Sequence, residues 1–436
     1  MEKFWGMVFT VVLVAAGCSD SGDDASSAAP AVESTTTSTT TTTTTTTTAP
    51  PVDAPVSFDT YDWSLVADEA PWGGRAGLRI VEKDGSLFVL GGRTPKQSTV
   101  PGDSVIHGDI WRSDDTGVTW TQILATDSGA WPARAYFSAV TIGDEMVVLG
   151  GQDFGLETNP FCALLEQGFE PPPGLGIDLD APCPEFVPTS NFFSDVWASS
   201  DGVTWEERTA EAGWAGRAGL SAVVAGDAIY VMGGSQNDDS AVIGANGPER
   251  LYFNDVWRST DGVEWELLTD AAPWEPRAGA SVVERDGEIW LFGGEDGFTC
   301  SPLPDCEAPY FNDVWHSADG VEWTEVSESA GWSPRPGHQC EVVEAEFVCF
   351  GGFGLIENPT DVWSSLDGAS WTLLEGAPWN ATDPEFVRYD FDSIAVVRDG
   401  VEMILTVGGD RETFDFGDPE NYLRIEDDTW MFAPAR

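Results

Sequence analysis

The chain has 436 residues, 42% of them hydrophobic, and carries 74 acidic against 20 basic side chains, a formal net charge of -54 at pH 7. That surplus excludes nucleic acid as a partner and repels anionic membranes, and it reads as a solvated surface that keeps a protein soluble and monomeric while repelling itself unless salt screens it. The best acidic loop, Asp410 to Asp428, lacks the ordered oxygen spacing of a calcium loop, so neither metal nor cofactor is expected.

In chain order, Lys3 precedes an apolar run from Phe4 to Ala16 that is too short to span a bilayer. The following Val14-Ala15-Ala16-Gly17-Cys18 resembles a bacterial lipobox, although Ala15 stands where Leu is more usual. Residues 1–18 therefore read as a lipoprotein signal with Cys18 as the lipidated residue, which implies export to the bacterial cell surface and membrane contact through the lipid alone. Residues 19–57 are Ser, Ala and Asp followed by nearly pure Thr from Thr35 to Thr48. Such a segment has no apolar residues with which to build a core and is expected to be a disordered stalk.

From residue 58 to 436 the sequence repeats. Eighteen of the twenty tryptophans fall into three registers of six: Trp72, Trp131, Trp214, Trp274, Trp332 and Trp379; Trp111, Trp197, Trp257, Trp315, Trp363 and Trp430; and Trp63, Trp120, Trp205, Trp265, Trp323 and Trp371. Gly-Gly pairs begin at Gly91, Gly150, Gly233, Gly293, Gly351 and Gly408, and subtracting successive positions gives 59, 83, 60, 58 and 57, so one unit carries an insertion, Gln152 to Ser194. Alternating runs such as Ile289-Trp290-Leu291-Phe292 read as strands, and Asp-Gly or Gly-Asp pairs between them as hairpin turns. Each unit then supplies four strands, a to d. The last unit ends on strand c at Trp430-Met431-Phe432, while Tyr61 to Val66 matches a d strand, so the start of the domain completes its end.

These residues carry a family resemblance. The Gly-Gly pair, the later Trp and a unit of roughly 50 residues are similar to kelch repeats over Tyr61 to Phe432. The turn Ser113-Asp114-Asp115-Thr116-Gly117-Val118-Thr119-Trp120 resembles the Asp-box of bacterial sialidases, one residue shorter in Ser199-Ser200-Asp201-Gly202-Val203-Thr204-Trp205. The resemblance implies an all-β, six-bladed kelch-type propeller with four-stranded blades. Kelch propellers include sugar oxidases, sialic-acid epimerases and protein-binding modules, so fold leaves function open.

Six cysteines besides Cys18 form three local pairs, Cys162 with Cys183, Cys300 with Cys306, and Cys340 with Cys349. A hairpin turning on Glu344-Ala345 would place Cys340 opposite Cys349. An arginine opens strand a in every unit (Arg75, Arg134, Arg217, Arg277, Arg335, Arg388) and an aspartate opens strand c (Asp109, Asp195, Asp255, Asp313, Asp361, Asp428). Residues copied six times are expected to hold blade to blade rather than to form an active site.

The b–c loops, beginning at Arg93, Gln152, Ser235, Glu295, Phe353 and Asp410, vary widely and share one face of the disc, where binding is expected. Site candidates are the residues that break the register near the inner end of strand a: Arg79, Tyr136, Phe137, His338, Tyr389 and Asp390. They either face the channel mouth or plug the channel. A copper oxidase site is disfavoured by the separate contexts of His107, His316 and His338. The sequence therefore reads as a surface lipoprotein binding a protein or glycan through its loop-rich face. The alternative is a sialidase-like or epimerase-like carbohydrate-active enzyme using Arg79, Tyr136, His338 and Tyr389.

Overall fold

Each blade is built from tight hairpins. In the first, Arg79–Lys83 turns at Asp84 and Gly85, both at positive φ (53° and 79°), into Ser86–Leu90, and Ile110–Ser113 and Thr121–Leu124 follow as successive antiparallel neighbours. Two adjacent residues at positive φ give the turn whose twist matches the flanking strands, which is why Asp-Gly recurs there. The computed structural model describes residues 58–97, 103–158, 162, 165, 186–237, 250–297, 310–354, 359, 361–374, 376–377, 388–412 and 420–435. Pro55–Asn159 with Glu185–Arg436 forms one compact unit; Met1–Ala54 with Pro160–Pro184 forms a second, nearly all of it outside the described residues.

Six four-stranded antiparallel sheets make up the first unit. Their first strands, Arg79–Lys83, Ser138–Ile142, Ser221–Ala225, Ser281–Arg285, His338–Val343 and Asp392–Arg398, touch one another in succession and close back on the first, so strand a is innermost and the architecture is a six-bladed β-propeller. In the sixth blade the outer strand is Tyr61–Ala67, which pairs with Thr429–Pro434 and sets Trp63 opposite Phe432. The ring is closed by its own N-terminal strand, as the sequence implies.

The core is six clusters, one in each gap between blades. Val81, Phe88 and Leu90 of the first blade, for example, pack against Trp131, Phe137, Met146 and Val148 of the second. The three tryptophan registers have separate tasks in this packing. Members of the first and third meet, edge to face with ring centroids 4.7 Å apart for Trp72 and Trp120 and 4.5 Å for Trp214 and Trp265, and stacked at 5.5 Å for Trp131 and Trp205. The second register donates from Nε1 to the aspartate two residues earlier, at 2.8 Å for Trp111 to Asp109 and 2.7 Å for Trp430 to Asp428.

The c–d turns are self-contained. Asp201 accepts from the backbone N–H groups of Val203 and Thr204 at 2.8 and 2.7 Å, and these bonds hold its carboxyl below the usual range. A carboxylate consumed by its own turn is a folding device. The strands containing Cys340 and Cys349 pair them directly across the hairpin with a disulfide, Cα atoms 4.1 Å apart, and the turn falls on Glu344 and Ala345. Cys162 is also disulfide-bonded, while Cys183, Cys300 and Cys306 lie outside the described residues.

Candidate functional site

The six arginines and six aspartates form bidentate pairs. Arg134 Nη1 and Nη2 donate to the two Asp195 oxygens at 2.6 and 2.9 Å, and Nη1 also to the Gly150 carbonyl at 2.8 Å. Equivalent pairs join Arg75 to Asp109, Arg217 to Asp255, Arg277 to Asp313, Arg335 to Asp361 and Arg388 to Asp428. This corrects one expectation: both partners belong to the same blade, so the side chains tie strand a to strand c. At this level of the ring the hydrogen bonds between blades come from the backbone instead, as when Gly92 N–H donates to the Arg134 carbonyl at 2.9 Å. All six guanidiniums are buried and committed, so they offer no cationic ring to a ligand.

Two further rings lie on the loop-bearing face. Two residues after each arginine, the chain adopts positive φ at Gly77, Tyr136, Gly219, Gly279, Gly337 and Asp390. Their peptides link one blade to the next: Gly77 N–H donates to the Asp390 carbonyl at 2.8 Å, Tyr136 to Gly77 and Gly219 to Tyr136 at 2.9 Å, and Gly279 to Gly219 at 3.0 Å. Glycine suits this conformation and tyrosine does not; holding one there costs on the order of 1–3 kcal/mol. Tyr136 at φ 54° and Asp390 at φ 52° are the two exceptions, and both adjoin the first blade.

The second ring is the residue following each Gly-Gly: Arg93, Gln152, Ser235, Glu295, Phe353 and Asp410. Backbone bridges such as Ala76 to Arg93 and Tyr389 to Asp410 fix it directly above strand a. Unlike the surrounding frame, no two of its members are alike.

The two irregular rings meet in a single polar network. Arg93 Nε donates to the Tyr136 hydroxyl at 2.6 Å, and Arg93 Nη2 to Asp410 Oδ2 at 2.9 Å. The Tyr389 hydroxyl hydrogen-bonds the same carboxylate, and Asp410 Oδ1 accepts from the Glu412 N–H at 2.9 Å. Phe154 packs edge-on to Tyr136, and Phe353 to Tyr389, with centroids 6.4 and 5.3 Å apart. Burial pushes both phenols well above the ordinary tyrosine range, reinforced by Asp390 and Asp410 and opposed by Arg93. They are hydrogen-bonding groups at neutral pH, since a nucleophilic or basic phenolate would need the opposite shift.

Of the sequence candidates, Tyr136, Tyr389 and Asp390 thus come together at the channel mouth. Arg79 lies deeper and serves the inner strands: its Nε donates to the Phe137 carbonyl at 2.7 Å, and Nη1 pairs with Asp392 at 3.1 Å, joining the first blade to the second and sixth. Phe137 is wholly buried in the core and presents no ring surface to the mouth. His338 is likewise buried, beside Trp332 with centroids 5.1 Å apart, at the register position held by Leu78, Leu220 and Phe391 in other blades. Arg93 and Asp410 are the members that sequence reasoning missed. The signal was present: six different residues in one slot of an otherwise repeating frame.

Neither ring nitrogen of His338 has a hydrogen-bond partner. Burial, with Arg335 nearby, pushes its pKa down to about 3, and the Arg335 carbonyl offsets this without meeting bonding geometry. A folded value below the unfolded one means the unfolded chain binds the extra proton, so this contribution to stability is complete above about pH 6.5 and shrinks as pH falls toward 3. His338→Leu should therefore gain about 2 kcal/mol on the wild type between pH 8 and pH 5. Urea titrations at the two pH values check this, and a pH-independent difference would refute it.

No family model matches the chain. Over 182 residues, 34% of this chain and 15% of the relative, it is 27% identical to tip elongation aberrant protein 3 of Schizosaccharomyces pombe. The match thus spans a small part of that protein's length. Among solved structures, that of YjhT is similar with a TM-score of 0.52 and 16% identity, covering 79% of this chain and 93% of YjhT. At that identity the likeness shows the fold alone, and a kelch-like propeller fits both comparisons.

Proposed function

We propose that this chain is an exported, lipid-anchored binding protein whose propeller holds a glycan at the mouth of its channel, over blades six, one and two. The observation that carries the reading is the Tyr136–Arg93–Asp410–Tyr389 network, placed where the repeating frame breaks. Repetition serves folding; a unique cluster on a strained backbone at the centre of the loop-bearing face serves something else. The partly exposed rings of Tyr136 and Phe154, beside the hydrogen-bonding Arg93, match a sugar's apolar face and hydroxyl rim, while Tyr389 and Phe353 are buried behind them.

Anchoring through Cys18 rests on the lipobox-like sequence, and the Cys340–Cys349 disulfide is consistent with an oxidising compartment. A catalytic reading draws less support. The two mouth phenols are held protonated, and the arginines of the frame are saturated by carboxylates.

A glycan array probed with the soluble domain from Asp53 tests the proposal. Arg93→Ala and Tyr136→Phe should each weaken a specific hit by about tenfold, the scale of a lost hydrogen bond to a charged or buried polar group. Thermal unfolding of each variant verifies that it is folded. Hits that survive both substitutions would move the site off the mouth. A blank array, with a protein captured through the loops instead, would replace the glycan by a protein partner.

A further inference from the structure

The identity of the sugar follows from the charge balance of the mouth. Two donors there remain uncommitted among the described residues: Arg93 Nη1 forms no bond, and the Tyr136 hydroxyl accepts from Arg93 while its own proton has no acceptor. Both call for an oxygen acceptor on the ligand. A carboxylate would satisfy them, yet the surroundings oppose one. Asp390, Asp410 and Glu412 all act electrostatically on the mouth tyrosines, and among the described residues Arg93 is the cation that opposes them.

That single positive charge is already spoken for by Asp410, whose side chain is 2% exposed. Arg79, deeper in the channel, is paired with Asp392, and Arg411, next to Asp410 in the chain, is paired with Glu426. An incoming anion would meet three carboxylates and one neutralised guanidinium, in surroundings partly shielded from solvent where like charges repel more strongly than in water.

We propose that the mouth selects uncharged sugars and rejects acidic ones, with hydroxyl, ring or carbonyl oxygens taking the Arg93 and Tyr136 donors. This rests on the glycan-binding reading above. The direction is opposite to that of a site built from free arginines, which would favour a sugar acid.

The test is calorimetric titration of the soluble domain from Asp53 with galactose and galacturonic acid oligomers of matched length, together with glucose and glucuronic acid counterparts, in 50 mM and 1 M NaCl. The neutral member of a pair should bind at least tenfold more tightly at low salt, and the gap should narrow at high salt as exposed charges are screened. Glu412→Gln should narrow it at low salt. Asp410→Asn should narrow it further or reverse it, because the freed guanidinium can then take a carboxylate; Glu412→Gln keeps the test informative if the buried Asp410 cannot be replaced.

Acidic sugars bound as well as or better than neutral ones would overturn the inference and leave the glycan reading standing. A neutral preference indifferent to salt and to both substitutions would also overturn it, assigning selectivity to shape. Folded protein that binds no sugar of either kind ends both proposals.

Discussion

Arg134→Ala is expected to lower the unfolding free energy by about 3–5 kcal/mol, the range for breaking one side of a buried ion pair. Arg134 is wholly buried, and its guanidinium satisfies both Asp195 oxygens and the carbonyls of Pro132 and Gly150. It also lies over the Phe193 ring at 4.1 Å. Removing it leaves Asp195 with the Trp197 Nε1 bond and little solvent, so the loss is dominated by a stranded charge rather than a missing contact. Arg134→Met combined with Asp195→Leu should accordingly be less damaging than Arg134→Ala alone. Arg112 provides the contrast: its pair with Asp114 is exposed on both sides, and Arg112→Ala should cost less than about 1 kcal/mol. Urea denaturation at pH 7 measures all three. Equal losses at Arg134 and Arg112 would contradict the buried-pair account.

How much of this was legible in the sequence depends on repetition. Strands, hairpins and six blades could be read because Gly-Gly, Asp-Gly and the tryptophans recur with local spacing, and the cross-strand Cys340–Cys349 pair follows from counting outward from one turn. The partner of each arginine could not be read that way. In a ring, one arginine and one aspartate per unit keep the same period whether they pair within a blade or across to the next, and only three-dimensional geometry separates the cases.

Parity was the second limit. Tyr136 at positive φ interrupts strand alternation, so counting from Arg134 cannot say which neighbour faces the mouth; the structure puts Tyr136 there and sends Phe137 into the core. Arg93 and Asp410 looked like the first residues of loops. Their importance comes from bridges to Ala76 and Tyr389 that bring two ends of the domain, 317 positions apart, within hydrogen-bonding distance.

That same joining of distant segments makes the N-terminal strand the most sensitive element of the fold. A domain starting at Asp68, lacking Phe58 to Ala67, should fail to form a stable monomer, whereas one starting at Asp53 should fold. Without Tyr61–Ala67 the strand Thr429–Pro434 loses its partner along its length and becomes an open edge. The apolar loss compounds this. Trp63 packs on Phe350 and Phe432 with centroids 5.2 and 5.1 Å apart, and Phe58 and Tyr61 pack on Phe432 at 6.0 and 5.2 Å. Burying Trp63 and Phe58 alone contributes about 3–6 kcal/mol, a large fraction of the roughly 5–15 kcal/mol by which a domain is stable. The open edge and the bared Phe432 should make the shortened domain aggregate, read as loss of the monomer peak in size-exclusion chromatography. A synthetic Phe58 to Ala67 peptide added during refolding should restore the monomer by pairing as the missing strand. Rescue by this peptide, but not by one carrying Trp63→Ser, would assign the defect to the seam itself; a stable, monomeric shortened domain would show that the other five blades hold the ring without it.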